Sequence, residues 1–436
     1  MNSTATASTH TSSSKYLPRT KVAGGLHLSP TQSVYHPADL KHEISVVPST
    51  SVPTFGGYFV CDLKEKNIKL ENLTLQFNVS PLVVRNKEDN SPVNGCSFVP
   101  AYAWITRLEV VMNNITLDTL YPTEQFILSN ILYTDAQRLA IQNAAGHYAS
   151  YGVRNARAMK TSDYIVQLHS LIDQIKPSIL SQSDEIQLRI YMDSLPNVVD
   201  FSSTGISPND VSIQANINFC NVLLRHTKLN QSGLAATELA NRAKTPYHGI
   251  FHDRRYGLFN IPTLATEQQL VLSAIVGKVS FLFFTVRAKF ANGKALQFCP
   301  IQSFQILDSN GQNIIGGSPL NRSQTAWLMQ NYSKSSFLEE NMFGYALSQT
   351  EIGDDNGINI YAFSFSDNPI EAMEHGRALS SHHFIGSEQL RLTLDPTNPA
   401  YSSGNGTTYD RVQVDVFAFC ENVLQQSSTS VIKLSA

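Results

Sequence analysis

The sequence predicts an all-β protein of two tandem antiparallel β-sandwich domains with short inserted helices. The first observation is a repeat, because Gln-Leu-Arg-Ile at residues 187–190 precedes Asp193 and Gln-Leu-Arg-Leu at residues 389–392 precedes Asp395. A period of about 200 residues indicates a duplicated domain and not a solenoid of short units. The length of 436 residues suits two cores better than one. Short strands separated by Gly, Pro, Asn and Ser turns favour antiparallel sandwiches.

The repeated motifs occur in the same order in both halves. Phe-Val-Pro at residues 98–100 matches Phe-Cys-Pro at residues 298–300, and the apolar runs that follow end at Asn113-Asn114 and Asn310-Gly311. Asn and Gly tolerate the positive φ angles of tight hairpins, so both pairs are predicted to reverse a strand. The order is completed by strands at residues 164–168 and 361–365 and by Phe-Cys pairs at residues 219–220 and 419–420.

A helix is predicted after each of these strand reversals. Thr134 is placed to cap a helix together with Gln137, ahead of an apolar periodicity that ends at Gly146. Asn321 and Gln324 have the same spacing in the second half. Each sandwich is therefore expected to carry at least one inserted helix.

Two strands illustrate the predicted β pattern. Residues 72–79 alternate apolar and polar side chains, which is typical of a half-buried strand. Residues 276–286 are apolar almost throughout, so we expect that strand to be covered on both faces.

The last strands of the two halves are out of step by one residue. Identity pairs Phe219 with Phe419, whereas apolar alternation pairs Phe219 with Ala418. A slip of one residue turns a strand inside out, so one copy is predicted to carry a β-bulge. The sequence does not decide which copy carries it.

Composition indicates a polar, weakly charged surface. Charged residues make up 15% of the chain, against roughly 25% in an average soluble domain. Such a surface fits contacts between copies of the chain, and equally an ordinary polar exterior. The five cysteines show no metal spacing and are predicted to be buried free thiols in a reducing compartment.

The N-terminal segment and the middle of the chain are both predicted to lack a core. Residues 1–22 contain no apolar stretch of the kind a secretory signal requires, and they are predicted to be disordered in the isolated protein. Residues 226–262 are predicted to connect the domains, with Arg254-Arg255 as a solvated pair. The net charge of −3 argues against sequence-specific nucleic-acid binding.

No catalytic, cofactor-binding or metal-binding residue is predicted, and no cofactor is expected. The chain has neither a phosphate-binding loop nor a nucleophile elbow. The pairs His248/His252 and His382/His383 are predicted to be surface or interface histidines, because a third ligand is missing. Asp354-Asp355 is predicted to lie in a turn. The protein is therefore expected not to be an enzyme.

Residues 34–424 resemble the double jelly-roll major capsid proteins of icosahedral DNA viruses, a family that spans tectiviruses and the nucleocytoplasmic large DNA viruses. The similarity is carried by residues 105–110 before the Asn113 turn, by residues 361–365 with Pro369, and by residues 388–394 and 412–424. After Leu424 the chain departs from the large-virus pattern, because Gln-Gln-Ser-Ser follows and a glycine-methionine ending is absent.

The resemblance implies a structural protein of the virion shell, made in the host cytoplasm. Three chains would form a pseudo-hexagonal homotrimeric capsomer that contacts neighbouring capsomers and minor capsid or penton proteins. The N-terminal arm would face the shell interior, where Lys15, Arg19 and Lys21 are available to contact an internal membrane. Inserts at residues 82–98, 144–163 and 337–359 are candidate tower or intersubunit loops. The implied segments are an arm (1–33), a first jelly roll (34–225), a connection (226–262), a second jelly roll (263–425) and a tail (426–436).

Two other classes of protein remain as alternatives. A two-domain metalloenzyme of the bicupin kind also shows an internal duplication, but it requires a His-x-His motif that this chain lacks. A tandem carbohydrate-binding protein requires exposed aromatic residues on a sheet face. The two tryptophans, Trp104 and Trp327, lie instead before the predicted turn and in the predicted helix.

Overall fold

A computed structural model describes most of the chain beyond the N-terminal arm. The described residues are 40–64, 68–147, 151–170, 179–180, 185–201, 204, 206–229, 247–261, 265–288, 298–334, 359–375, 380–398, 401, 412–426 and 431–434. The predicted arm at residues 1–33, Asp354-Asp355 and almost all of the insert at residues 337–359 lie outside these ranges.

Two antiparallel sheets enclose the core of the first jelly roll. One sheet consists, in order, of β1 (Leu40–Pro48), β13 (Ile217–Leu229), β3 (Ile68–Val79) and β8 (Ser162–Leu168), with β9 (Ile179–Leu180) beside β3. The other consists of β2 (Tyr58–Leu63), β10 (Ile186–Met192), β6 (Ile105–Met112) and β7 (Ile115–Leu120).

The second jelly roll repeats this arrangement strand for strand. Its larger sheet consists of β14 (Tyr247–Ile261), β22 (Val412–Gln426), β16 (Val276–Ala288) and β19 (Tyr361–Ser364), with β20 (His382–Ile385) beside β16 and β23 (Val431–Leu434) beside β22. Its smaller sheet consists of β15 (Glu267–Val271), β21 (Gln389–Thr393), β17 (Ser303–Leu307) and β18 (Leu320–Asn321). In both halves the first strand pairs with the last long strand, which confirms the predicted pair of jelly rolls.

Shorter elements connect these strands. Small ladders join β4 (Val83–Asn86) to β12 (Val211–Gln214) and β5 (Ser97–Phe98) to β11 (Val199–Asp200). The α-helices of the described residues are α1 (Pro122–Ile131), α2 (Asp135–Ala144), α3 (Tyr151–Ala158), α4 (Arg322–Tyr332) and α5 (Pro369–His375). Within the described part of the chain, no helix is both long enough and apolar enough to span a membrane.

The predicted turns and helix starts are confirmed. Asn113 and Asn114 have φ of 50° and 65° in the β6–β7 hairpin, and Gly311 has φ of 78°. Capping boxes begin both α2, at Thr134, and α4, at Asn321. Three further helices were not predicted. One of them, α1, begins at a proline and is buried on all sides, so it lacks the amphipathic stripe by which a helix is recognised in a sequence.

The predicted strand patterns also appear in the structure. Along β3 the apolar residues at positions 73, 75, 77 and 79 are buried, and between them the residues at positions 72, 74, 76 and 78 are half-buried. In β16, Phe283 and Phe284 point to opposite faces and both are fully buried. The first copy carries a bulge between Ile217 and Phe219 in β13, and the second copy has its irregularity in the neighbouring strand, between Val279 and Phe281 of β16.

The repeated Gln-Leu-Arg motifs form equivalent core positions. Leu188 pairs with Cys61 and Val110 at the centre of its sheet, and Leu390 pairs with Leu270 and Ile306 in the same place in the second jelly roll. Both leucines are fully buried. All five cysteines are buried and free, as predicted.

Candidate functional site

The site that distinguishes this chain from a pair of separate sandwiches is the junction between its jelly rolls. The stretch at residues 226–262, predicted to be a connection, instead contains the end of β13 and the whole of β14. These strands could not be recognised in the sequence, because β14 carries polar side chains that pack against polar groups of the first jelly roll. Residues 230–246 of this stretch, which include Gly233, Ala235 and Ala236, lie outside the described residues.

Arg254 of β14 lies in a buried cluster of charges that joins the two halves. Its side chain is 6% exposed, with Nε 3.1 Å from Oε1 of Glu124 in α1 and Nη1 3.5 Å from Oδ2 of Asp118 in β7. The prediction that Arg254-Arg255 is a solvated pair is therefore wrong for Arg254. Arg255 remains 40% exposed beside Asp253, because successive strand residues point to opposite faces.

Burial changes the protonation of the groups around this cluster. Burial raises the pKa of Glu124 to about 7; Arg254 lowers it in part and Asp118 raises it further. Burial, reinforced by the Arg254 charge, lowers the pKa of His169 to about 3. The junction therefore places one cation against two carboxyl groups, one of which takes up a proton near neutral pH.

Aromatic rings continue the junction beyond the charges. Tyr121, at the start of α1, lies with its ring centroid 4.1 Å from that of Tyr256 in β14, and Tyr256 stacks on Phe417 of β22 at 4.8 Å. The Tyr256 hydroxyl donates a hydrogen bond of 2.7 Å to Oδ1 of Asp415. The charged side chains of Arg254, Asp118 and Glu124 are buried, which strengthens their electrostatic interactions.

Asp415 is held beneath these rings by a second arginine. Arg287 Nε lies 2.8 Å from Oδ2 of Asp415, whose side chain is almost completely buried. Burial raises the pKa of Asp415, while Arg287 and the hydrogen bond from Tyr256 lower it. The carboxylate thus fixes the Tyr256 ring that faces the first jelly roll.

A third contact joins the helix α1 to the segment that follows α4. The Lys334 amide donates a hydrogen bond of 2.8 Å to the carbonyl of Ile131, and the Ser333 hydroxyl donates one of 3.3 Å to the same oxygen. Phe126 and Phe298 pack across the junction with centroids 6.2 Å apart. Charges, rings and backbone together determine one orientation of the two jelly rolls.

The histidines predicted at the surface have different environments. His252 is fully buried and its Nε2 lies 2.7 Å from the Ser280 hydroxyl, so the surface or interface prediction is wrong for it. Burial lowers its pKa to about 4, which keeps the ring neutral. His382 is half-buried against Phe365, and His383 is exposed. The side chain of His248 lies outside the described residues.

Among the residues that the structure describes, no group of three His, Cys, Asp or Glu side chains is arranged to hold a metal ion. Sequence reasoning missed Asp118, Glu124, Tyr121 and Tyr256. The available signal was weak, since a carboxylate in the first turn of a helix is usually solvated and favourable there.

Comparisons with known proteins identify the fold. No protein-family model matches the sequence, and no curated protein matches it. Among solved structures, the chain is similar to PBCV-1 VP54, with a TM-score of 0.62 at 14% identity over 93% of this chain and 99% of that one. It is similar to the Faustovirus major capsid protein (TM-score 0.59, 8% identity, 93% of each chain) and to the mavirus major capsid protein (0.50, 12% identity, 95% of this chain and 93% of that one). The chain therefore has the double jelly-roll fold of viral major capsid proteins.

Proposed function

We propose that this chain is the major capsid protein of an icosahedral DNA virus, and that three copies form a pseudo-hexagonal capsomer. The observation that carries the proposal is the duplicated strand order together with the buried junction around Arg254. A ring of three such chains contains six similar barrels and therefore has approximate six-fold symmetry. The fold shared with PBCV-1 VP54 over nearly the whole of both chains supports the same role.

The role is mechanical and involves no reaction. Two jelly rolls in each chain and three chains in each capsomer give six similar barrels, which pack on a flat lattice. The partners are therefore copies of the same chain, first within the capsomer and then in neighbouring capsomers. Minor capsid or penton proteins would meet the shell where the lattice curves, and the protein would reside in the virion after synthesis in the host cytoplasm.

Two of the three inserts proposed as tower or intersubunit loops contain strands or a helix. Residues 82–98 contain β4 and β5, and residues 144–163 contain α3. We assign these inserts, with residues 337–359, to the tower or to contacts between subunits. The domain bounds implied by the resemblance, adjusted where β13 and β14 extend into residues 226–262, complete the assignment.

The N-terminal arm has a separate proposed role, which is to bridge capsomers or to contact an internal membrane. Deleting residues 2–22 is expected to leave the trimer and its melting temperature unchanged while shell assembly becomes less efficient. Ordering the arm costs about 1 to 2 kcal/mol of backbone entropy for each residue, so its net contribution in a single capsomer is small. Normal shell assembly by the truncated protein, or loss of the trimer, would contradict this role.

The oligomeric state tests the proposed function. Light scattering on the purified full chain should give the mass of three chains, with interfaces in the size range of obligate oligomers. A monodisperse monomer at micromolar concentration would contradict the capsid assignment.

A further inference from the structure

The junction within the chain provides a template for a contact between chains. In the first jelly roll, α1 follows the edge strand β7 directly, and every residue of α1 after Pro122 is buried. The second jelly roll supplies part of that cover, through Arg254 against Glu124, Phe298 against Phe126 and Lys334 against Ile131. A helix after β7 thus packs on the outer face of the β14–β22 pair.

The second jelly roll has a helix at the same place in its strand order, but without this cover. α4 follows the edge strand β18 directly, just as α1 follows β7. One side of α4 is buried through Thr325, Met329 and Tyr332. Its other side is exposed and includes Trp327, which is 63% exposed. A tryptophan with so much apolar surface in water is a common feature of protein interfaces.

The first jelly roll has an exposed apolar patch on the outer face of its corresponding pair of strands. β1 pairs with β13 as β14 pairs with β22. The outer face of the β1–β13 pair exposes large apolar side chains, with Ile44 73%, Val46 57% and Phe219 39% exposed. The bulge at residue 218 of β13 places Phe219 on this outer face while Cys220 stays in the core. In the other half, the outer face of β14 and β22 carries the rings Tyr256 and Phe417, which pack against Tyr121 of the first jelly roll.

We infer that α4 of one subunit, with Trp327 at its centre, docks on the outer face of β1 and β13 in the first jelly roll of the next subunit. The inference rests on the proposed homotrimer and specifies which surfaces build it. Each chain offers one helix and one sheet face, so the contact is heterologous and closes after three subunits around a three-fold axis. Contacts within chains then alternate with equivalent contacts between chains.

The two kinds of contact differ in charge. Within the chain, Glu124 of α1 meets Arg254. In α4 the third residue after the N-cap is Gln324, which is engaged in capping its own helix. On the acceptor face Val46 pairs with Leu223, whereas Ile44 pairs with Arg225. Trp327 and the Val46–Leu223 pair form the apolar centre of the contact between subunits, and a charge introduced at either should break it.

Two variants of the full chain test each side of the contact. Trp327→Glu alters the helix and Val46→Glu alters the sheet face, and each should raise the concentration at which the trimer is half dissociated by more than about tenfold. Analytical ultracentrifugation measures this concentration. Val271→Glu is the matched control, since Val271 is 48% exposed on β15, at the opposite edge of its sheet from β18. The control should remain a trimer.

Mixing the two variants separates a broken interface from a broken fold. The Trp327→Glu chain keeps its sheet face and the Val46→Glu chain keeps its helix, so the mixture should form a dimer of one of each that cannot close into a ring. Misfolded chains would not form such a dimer. If the wild type is a trimer and both variants remain trimers, the inference is overturned and the proposed function stands. If the wild type is a monomer, the proposed function fails and the inference fails with it.

Discussion

The two jelly rolls have the same strand order but differ in what lies on the outer face of their larger sheets. In the second, Phe417 packs on Phe283 with ring centroids 5.2 Å apart and lies 6.4 Å from Tyr121 of the first jelly roll. In the first, Ile44 and Val46 of the edge strand β1 are 73% and 57% exposed. The two sandwiches thus share a strand order and a buried interior, whereas their outer faces differ in exposure.

The strongest test of this difference removes the cation of the junction. Arg254→Met leaves the carboxyl groups of Asp118 and Glu124 buried without their positive partner, so we expect a loss of about 3 to 5 kcal/mol in the free energy of unfolding. Urea unfolding at neutral pH measures it. The neighbouring Arg255→Met provides the control, since its exposed ion pair with Asp253 should contribute about 1 kcal/mol or less. Equal losses in the two variants would mean that the buried cluster does not hold the junction.

A second prediction concerns what the two halves share. Leu188→Ala and Leu390→Ala remove equivalent, fully buried side chains, and each should lower the free energy of unfolding by about 2 to 5 kcal/mol and reduce the yield of soluble protein. Denaturant unfolding of both variants provides the comparison. A large loss for one leucine and none for the other would contradict the equivalence of the two cores.

The third prediction compares a buried histidine, His252, with an exposed one, His383. His252→Ala leaves the Ser280 hydroxyl without one partner and opens a cavity, so we expect a loss of about 1 to 3 kcal/mol. His383→Ala should change the free energy of unfolding by less than about 0.5 kcal/mol, because the side chain is exposed. Thermal unfolding of both variants distinguishes the two cases. Indistinguishable melting temperatures would contradict the buried role of His252.

The smallest predicted effect is a pH dependence at the junction. The pKa of Glu124 is raised from 4.5 to about 7 in the folded protein, so between these values the folded state holds a proton that the unfolded chain has lost. Its stabilising contribution is complete below about pH 4.5 and is lost as the pH rises through about 7. Relative to wild type, Glu124→Gln should therefore gain about 1 kcal/mol of stability for each pH unit between about 5 and 7. If the free energies of unfolding of wild type and Glu124→Gln changed in parallel with pH, the raised pKa of Glu124 would be contradicted.

Local signals made much of the fold predictable from the sequence. Asn113-Asn114 and the capping boxes at Thr134 and Asn321 depend on residues within one turn, and the alternation of β3 depends on one strand. The bulge could be predicted from the mismatch of the two copies, but its place in β13 depends on pairing with β3.

The junction could not be predicted in the same way. Arg254 contacts Asp118 and Glu124 only because two segments that are distant in the sequence pack together. No periodicity within β14 predicts that contact. The same residues in isolation favour a solvated pair, which is the more common state of arginine. Buried α1 was missed for a related reason, because a helix covered on all sides has no polar face.

Negative-stain electron microscopy of the purified full chain tests the central claim most directly. We expect tiles with three-fold symmetry and a near-hexagonal outline, each built from three chains with two jelly rolls apiece. Isolated two-lobed particles at micromolar concentration, with no three-fold tiles, would contradict it.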